Sequence, residues 1–505
     1  MPTRRTILTG LALTTGAAFT HKLRALAMDM QSLTDAEIAR DPMRPQYHLL
    51  PAHGWMNDPC GPLYWKGRYH MFYQYNSEPV SAVKLWAHAT SPDMIHWHRE
   101  PVALAPTPGG PDAEGCWTGT AAIVDGKPTF LYTGVSKCTP EQATLADSNP
   151  PLRESVCMAI AEDDTLLRWR KLPHPVIAAP PAGMKVTGFR DPSPWRNGGP
   201  GQGNEDHWSL IVASGERGVG GSERGRGGEV LLYRSTDFRY WEYLHPLAQG
   251  KPLGTSNDVV ASGEMWECPD FFPLNGKHVL IHSTEGKTLW QIGTLDTAAM
   301  LFHAEKEGLL DHGAYYAPKS QLDAQSNRIL WGWITDTRPQ AEYAAAGWSG
   351  MMSLPRRLSI EANGDLVMDP VPEIASLQTE YRIGPEACRL LTPAQQIGFD
   401  LRPSDGPALE QSFVDSQGPV ILLRADPHQP IATARVGDKE ISGLSGKLGF
   451  LIFLDHSVAE IFLNRRHAIT QRYYQRTTME PAVTITLGGS WRITQQQAWS
   501  LKSIW

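Results

Sequence analysis

An all-β fold in two parts, a repeat array of small sheets followed by a β-sandwich, is what the sequence predicts, and three observations predict it. Short apolar runs of strand composition recur along the chain and are cut by Gly, Pro, Asn and Asp. Tryptophan returns at a fixed interval within the first half. A Pro-rich break near residue 370 then separates this array from a stretch that reads as a β-meander.

Between about Gln46 and Ile360 the runs are Arg68–Tyr75, Pro128–Thr133, Trp208–Val212, Glu229–Tyr233, His278–His282 and Arg328–Trp333. Many short strands at close spacing specify an all-β architecture. Trp97, Trp169 and Trp241 stand 72 residues apart, and each follows a polar turn and precedes a proline, Pro101, Pro173 or Pro246. Ser91 to Trp97 and Ser235 to Trp241 also share an S-x-D-x-x-x-W frame. One such period holds a four-stranded blade with generous loops, and the region holds between four and five periods. A five-bladed β-propeller over 28–372 is therefore expected.

Asp369-Pro370-Val371-Pro372 ends the array, with a linker expected over 373–383 and a β-sandwich over 384–505. In the sandwich, Gly449–Leu454, Val458–Leu463 and Ala468–Tyr474 are separated by turns at Asp455-His456-Ser457 and Asn464-Arg465-Arg466. The stretch Gly215 to Gly228, with Arg217, Arg224 and Arg226, lacks the ending of a P-loop and the flanking helix pattern of a dinucleotide fingerprint. It reads as a mobile loop.

Residues 1–27 read as an export signal. Arg4 and Arg5 precede a mild apolar stretch from Ile7 to Phe19, and Ala25-Leu26-Ala27 is a small-x-small cleavage pattern. The paired arginines, with Lys22 and Arg24 before the cleavage site, fit a twin-arginine route to the periplasm or beyond. The apolar run is too short to span a bilayer, so no membrane attachment is expected after the signal is removed. A hydrophobic fraction of 41% with 20% charged residues is ordinary for a soluble protein, and a net charge of −7 leaves no basic field for nucleic acid. Small neutral ligands suit it better, and the 17 Trp offer flat faces for sugar rings as well as core. The six Cys form no CxxC pair, which argues against a zinc site and a disulfide scaffold alike. Free thiols are expected, with no metal and no cofactor. The oligomeric state is not specified at this level.

Three acidic motifs sit beside aromatic and Pro residues at strand boundaries: Trp55-Met56-Asn57-Asp58-Pro59, Gly188-Phe189-Arg190-Asp191-Pro192 and Met265-Trp266-Glu267-Cys268-Pro269-Asp270. Taken singly, Asp before Pro makes an Asx-turn and an Arg-Asp neighbour makes an ion pair. In units of the 72-residue period, however, Asp58, Asp191 and Glu267 fall at similar places on blades one, three and four. Equivalent positions on different blades converge on the central channel, and acids meeting at one mouth are what glycosidic cleavage needs.

Together with Tyr73–Asn76, Trp86–Ser91, Gly115–Gly119, Leu131–Gly134, Tyr315–Lys319, Arg328–Trp333, Gly347–Gly350 and Leu454–Val458, taken in order, these motifs resemble glycoside hydrolase family 32. That family comprises the invertases, inulinases, levanases and fructan exohydrolases. The segments at Trp86, Gly115 and Trp266 are similar to its plant-type branch. The resemblance implies a five-bladed propeller followed by a β-sandwich, and a retaining hydrolase that releases terminal β-fructosyl units from sucrose or fructans. It further implies Asp58 as nucleophile, Glu267 as general acid/base, and Asp191 with Arg190 holding the fructosyl hydroxyls. Asn57 is then placed to hydrogen-bond Asp58. Trp55, Trp86 and Trp117 are implied as an aromatic zone beside the sugar, and Gln74 and Thr118 as hydrogen-bonding partners. Retention needs two carboxyls about 5–5.5 Å apart, one attacking and one protonating the leaving oxygen.

Two departures stand out. Cys60 occupies the place where the family usually has Asn, and Asp258–Met265 lacks the short acidic and basic pattern that plant invertases carry near the glucose side of sucrose. Leaving-group preference stays open, as does transfer of fructose to another sugar, which uses the same covalent intermediate. A non-catalytic sugar-binding propeller is disfavoured because both acids of the pair are present.

Overall fold

Strands buried on both faces read as unbroken apolar runs, and Lys127–Lys137 is one: nine consecutive residues between its two lysines are buried. Its opposite is Leu301–Asp311, exposed along most of its length. The two mark the inside and the outside of a radial array. The computed structural model describes residues 34–80, 83–145, 148–196, 207–216, 227–251, 263–429, 433–474 and 480–505. The expected export signal lies outside the described residues, as do residues 217–226 of the Gly-rich stretch and residues 258–262 before Trp266.

Five sheets form the propeller. Blade I is built from Gly54–Trp65, Arg68–Asn76, Leu85–Ser91 and His98–Leu104, and blade II from Gly115–Val124, Lys127–Lys137, Leu152–Ala161 and Trp169–Lys171. Blade III is Val186–Arg196, Trp208–Glu216, Gly227–Ser235 and Glu242–Gln249; blade IV is Glu267–Leu274, Lys277–Thr284, Lys287–Asp296 and Leu301–Asp311. Blade V uses Tyr315–Leu322, Arg328–Ile334, Arg356–Ile360 and Leu366–Pro370. The first strand of each blade is innermost. It packs on the first strand of the next blade, and the fifth packs on the first, closing the ring. Closure is reinforced by Trp348–Ser349, which comes after the second strand of blade V yet pairs in parallel with Gly54 and Trp55 of blade I.

Local sequence explains the hairpins. Asp125-Gly126 and Asn275-Gly276 each place two consecutive residues at positive φ, the backbone of the two-residue turn whose twist matches antiparallel strands. The 72-residue repeat has an equally local basis. Met94, Leu166 and Phe238, each three residues before a repeating Trp, all have left-handed backbone. In blades I and III, Asp93 and Asp237 accept backbone N–H groups two and three residues on, so the shared frame is an Asx-turn. The Trp indoles of the first two copies then donate to the carbonyls of Met94 and Leu166.

The sandwich pairs a six-stranded sheet, ordered Gln378–Ile383, Trp491–Leu501, Ala394–Pro403, Leu448–Asp455, Val458–Leu463 and His467–Arg472, with a second, five-stranded sheet. Ile397, Phe399, Leu423, Ile452, Ile461 and Ile485 fill the space between them. The linker expected over 373–383 is shorter than that: Gln378–Ile383 is already an edge strand bonded to Trp491–Leu501. Thr379, Glu380 and Arg382 put polar and charged groups on this sheet edge.

Propeller and sandwich share one apolar core, in which Met352, Leu358 and Met368 meet Phe453, Phe462 and Leu501. Beside it lies a fully buried ionic cluster. His48 contacts Asp455 at 2.8 Å through Nδ1 and Glu460 at 3.1 Å through Nε2. Arg356 Nη2 reaches Asp311 at 2.9 Å and Glu460 at 2.6 Å.

Candidate active site

Each inner strand carries the same irregularity. Between Met56 and Pro59, Trp117 and Gly119, Arg190 and Ser193, Glu267 and Asp270, and Tyr316 and Lys319, it has one residue more than its partner strand. Such bulges break the ladder and re-aim side chains. Asp58, Thr118, Asp191, Cys268 and Ala317 occupy the bulges, and the last three adopt left-handed backbone at φ 59°, 49° and 52°. An L-residue held there costs roughly 1 kcal/mol, which is repaid where the bulges converge.

Half-buried Asp58 has both carboxylate oxygens occupied. Asn57 Nδ2 donates to Oδ1 at 3.0 Å and Thr118 Oγ1 to Oδ2 at 2.5 Å. Asn57 Nδ2 also donates to Gln74 Oε1 at 2.7 Å, and Gln74 Nε2 donates to Thr118 Oγ1. Asn57, Gln74 and Thr118 are buried, so the ring of amides and hydroxyl is shielded from water. The strand behind Asp58 continues into Cys60, buried in the core of blades I and II, with Sγ 3.5 Å from the Asp58 carbonyl. This departure from the family pattern therefore alters the backing of the strand and not the face turned to the channel.

Cys268 ties two acids together. Its backbone N–H donates to Asp191 Oδ2 at 2.8 Å, and its Sγ lies 3.4 Å from Asp191 Oδ2 and 3.5 Å from Asp58 Oδ2. Burial, with the charges of Asp191 and Asp58, pushes the thiol well above its ordinary pKa, so it stays a proton donor between two carboxylates. Burial also pushes Asp191 up to about 7; Arg190 and Lys319 oppose the shift, while the charges of Asp58 and Glu267 add to it. Asp191 therefore keeps its proton up to near neutrality.

Glu267 is gripped from two sides. Arg190 Nη2 donates to Oε1 at 2.7 Å, and the Tyr316 hydroxyl donates to Oε2. The other arm of Arg190 bonds buried Glu154 at 2.8 Å, and Glu154 also accepts from the Phe189 amide and the Thr144 hydroxyl. The guanidinium is thereby held as a fork between two carboxylates. Lys319, fully buried, donates to the Pro269 carbonyl at 2.7 Å and anchors the turn after Cys268.

Asp58, Asp191, Glu267, Asn57, Gln74, Thr118 and Arg190 are therefore brought into one network. Trp55 lies at its edge, 6.0 Å from Trp333 and 5.6 Å from Tyr343, with Nε1 donating to Asn57 Oδ1. Trp117 is half-buried on the bulge of blade II. Trp86, expected in the aromatic zone, does not belong there. It is fully buried against Phe72, Phe130 and Tyr132, and its Nε1 donates to the Trp117 carbonyl, so it is blade core. Tyr316, Glu154, Lys84 and the Cys268 thiol were not singled out from sequence. The bulge frame carries a signal for Tyr316: Arg190-Asp191-Pro192, Glu267-Cys268-Pro269 and Tyr316-Ala317-Pro318 are the same three positions on successive blades.

Comparison with known proteins points the same way. Residues 48–370 match the model of the glycosyl hydrolases family 32 N-terminal domain. A sucrose-6-phosphate hydrolase of Escherichia coli is 32% identical over 466 residues, covering 84% of this chain and 88% of that protein. The cell wall β-fructofuranosidase of Zea mays is 34% identical, covering 70% of this chain and 60% of its own length. Among solved structures, fructan 1-exohydrolase IIa of Cichorium intybus superposes with a TM-score of 0.71 at 27% identity, over 92% of this chain and 98% of that one. With its two-part β architecture, its converging acids and these relatives, the chain belongs to glycoside hydrolase family 32 and is a glycosidase.

Proposed function

We propose that the protein is a retaining β-fructosidase that hydrolyses terminal non-reducing β-fructofuranosyl bonds of sucrose or fructans. The observation that carries this reading is the meeting of two separately held carboxyls at one mouth, where Cys268, the residue after Glu267, places its Sγ 3.5 Å from Asp58. Asp58 is held by Asn57 and Thr118, and Glu267 by Arg190 and Tyr316 with its side chain 30% exposed. In this scheme the Asp58 carboxylate attacks the anomeric carbon of the fructosyl unit while Glu267 protonates the departing glycosidic oxygen. The bond to the leaving sugar breaks as the fructosyl–Asp58 ester forms. Glu267, now a base, takes a proton from water, which attacks the ester and frees Asp58. Asp191 and Arg190 hold the fructosyl hydroxyls, and the carboxylate charge at the mouth stabilises the oxocarbenium-like transition state. Trp55 and Trp117 supply the apolar faces. Plant cell wall enzymes among the relatives support export, as do the N-terminal arginine pair and cleavage pattern.

The test separates the two acids. Glu267→Gln is expected to lower sucrose cleavage by roughly 10²–10⁴-fold, the usual worth of a general acid, and to spare fructosyl fluoride, whose leaving group needs no proton. Asp58→Asn is expected to abolish both reactions. Equal loss of the two donors in Glu267→Gln refutes the assignment. Products from sucrose, sucrose 6-phosphate, inulin and levan, digested in parallel, decide the leaving group and whether fructose passes to water or to another sugar.

A further inference from the structure

Lys84 stands just before the third strand of blade I, beside the ring of amides that holds Asp58. Its Nζ donates to Asn57 Oδ1 at 3.2 Å and lies 5.1 Å from the centre of the Trp55 ring. Trp55 Nε1 donates to the same oxygen at 2.9 Å. An ammonium and an indole N–H can only donate, so the atom they meet is the amide oxygen and the other end of Asn57 is the NH2 group. The direction of every later bond follows: Asn57 to Asp58 and Gln74, Gln74 to Thr118, Thr118 to Asp58. Bonds that run in one direction polarise one another, and a cation at the origin strengthens the run.

We propose that Lys84 is a positioning residue for the nucleophile, fixing the polarity of the Asn57–Gln74–Thr118 relay and supplying the positive charge that drives it toward Asp58. This rests on the assignment of Asp58 as nucleophile. Among the described residues, Cys60 of blade I, Asp191 of blade III, Cys268 of blade IV and Tyr316 of blade V also feel the charge of Asp58, and Arg190, Glu267 and Lys319 adjoin Asp191. Blade II contributes the uncharged Thr118 hydroxyl. Arg190 is occupied by Glu154 and Glu267, and Lys319 by the Pro269 carbonyl. Among the described residues, Lys84 is the cation whose bond enters a side chain that itself bonds Asp58. Burial draws the ammonium below its ordinary pKa while the charge of Asp58 opposes this, so the charge is kept at a cost that the relay offsets.

The experiment compares wild type, Lys84→Met and Lys84→Arg by steady-state kinetics on sucrose over a pH series, with thermal melting of each protein. Methionine keeps the stem and removes the charge. It is expected to lower kcat by about tenfold, the effect of losing one charge-assisted hydrogen bond, with KM within about threefold of wild type. The acidic limb of the rate profile is expected to move up by about half a pH unit or more, because a cation that favours the ionised nucleophile is gone. Arginine is expected to restore the limb and most of kcat. An unmoved limb in a folded Lys84→Met overturns the proposal, and so does a loss that Lys84→Arg shares in full. Asp58→Ala, run alongside, separates the two levels: if it keeps activity, the nucleophile assignment fails, whereas an inert Asp58→Ala beside an unaffected Lys84→Met refutes only the role of Lys84.

Discussion

Replacing His48 by Gln removes one of the two positive charges, the other being Arg356, from the buried cluster that joins propeller to sandwich. His48 is fully buried; burial alone would disfavour its charge, but hydrogen bonds to Asp455 and Glu460 prevail and raise its pKa from 6.5 to about 9. A folded value above the unfolded one means that the stabilisation is complete below pH 6.5 and disappears as pH rises through about 9. At about 1.4 kcal/mol per pKa unit, the protonated ring contributes about 3 kcal/mol at pH 6. The loss in the variant is confined to that share, because neither carboxylate is left bare. Asp455 still accepts the backbone N–H groups of Gln46, Tyr47 and residue 48, and Glu460 still holds Arg356 and the Leu354 amide. Urea unfolding followed by Trp fluorescence, at pH 6 and at pH 9.5, measures the gap between wild type and His48→Gln. It is expected to be about 3 kcal/mol at pH 6 and to shrink to well under 1 kcal/mol at pH 9.5, where wild type has lost the same charge. A gap of equal size at both pH values refutes the reasoning, since it would report packing and not protonation.

Removing the Tyr316 hydroxyl in Tyr316→Phe takes away one of the two donors on Glu267. A hydrogen bond to a charged group is worth about 1.5–3 kcal/mol, so kcat/KM for sucrose is expected to fall roughly 10- to 100-fold, and less for fructosyl fluoride. The rate itself is expected to be bell-shaped, with an alkaline limb near pH 7 where Asp191 gives up its proton. A rate still rising above about pH 8 in a stopped assay contradicts this. Trp86→Phe is expected to lower the melting temperature with KM within about twofold of wild type, as befits a core residue, and a large rise in KM at unchanged stability would return Trp86 to the sugar site.

How much of this was legible in the sequence depends on whether the signal is local. The repeat was, because its Trp follows a turn fixed by neighbours such as Ser91 and Asp93, and such turns are written within a few residues. Asp58, Asp191 and Glu267 were legible because each stands one or two residues before a proline at a bulge. Trp86 was misplaced for a physical reason: Leu85–Ser91 is buried along both faces between adjoining blades, so alternation cannot tell a channel-facing ring from a core ring. Tyr316, Glu154 and Lys84 reach the site from blade V, from the third strand of blade II and from beside the third strand of blade I. Their meeting is set by strand register across blades, which no short window of sequence records. The strand Gln378–Ile383 read as a linker because none of its six residues is buried, so no apolar inward face marks it.

The parallel pairing of Trp348–Ser349 with Gly54 and Trp55 has a consequence for when the enzyme becomes an enzyme. The partners are separated by about 300 positions, so their encounter closes a very long loop and lies among the slowest contacts for the chain to find. Trp55 is one of those partners, and it orients Asn57 against Asp58. Blades II to IV can assemble from nearest neighbours during synthesis, yet Asp58 is not seated until the far end of the propeller arrives. Recovery of activity during refolding should therefore lag behind recovery of β-sheet signal, and the delay times the final seam.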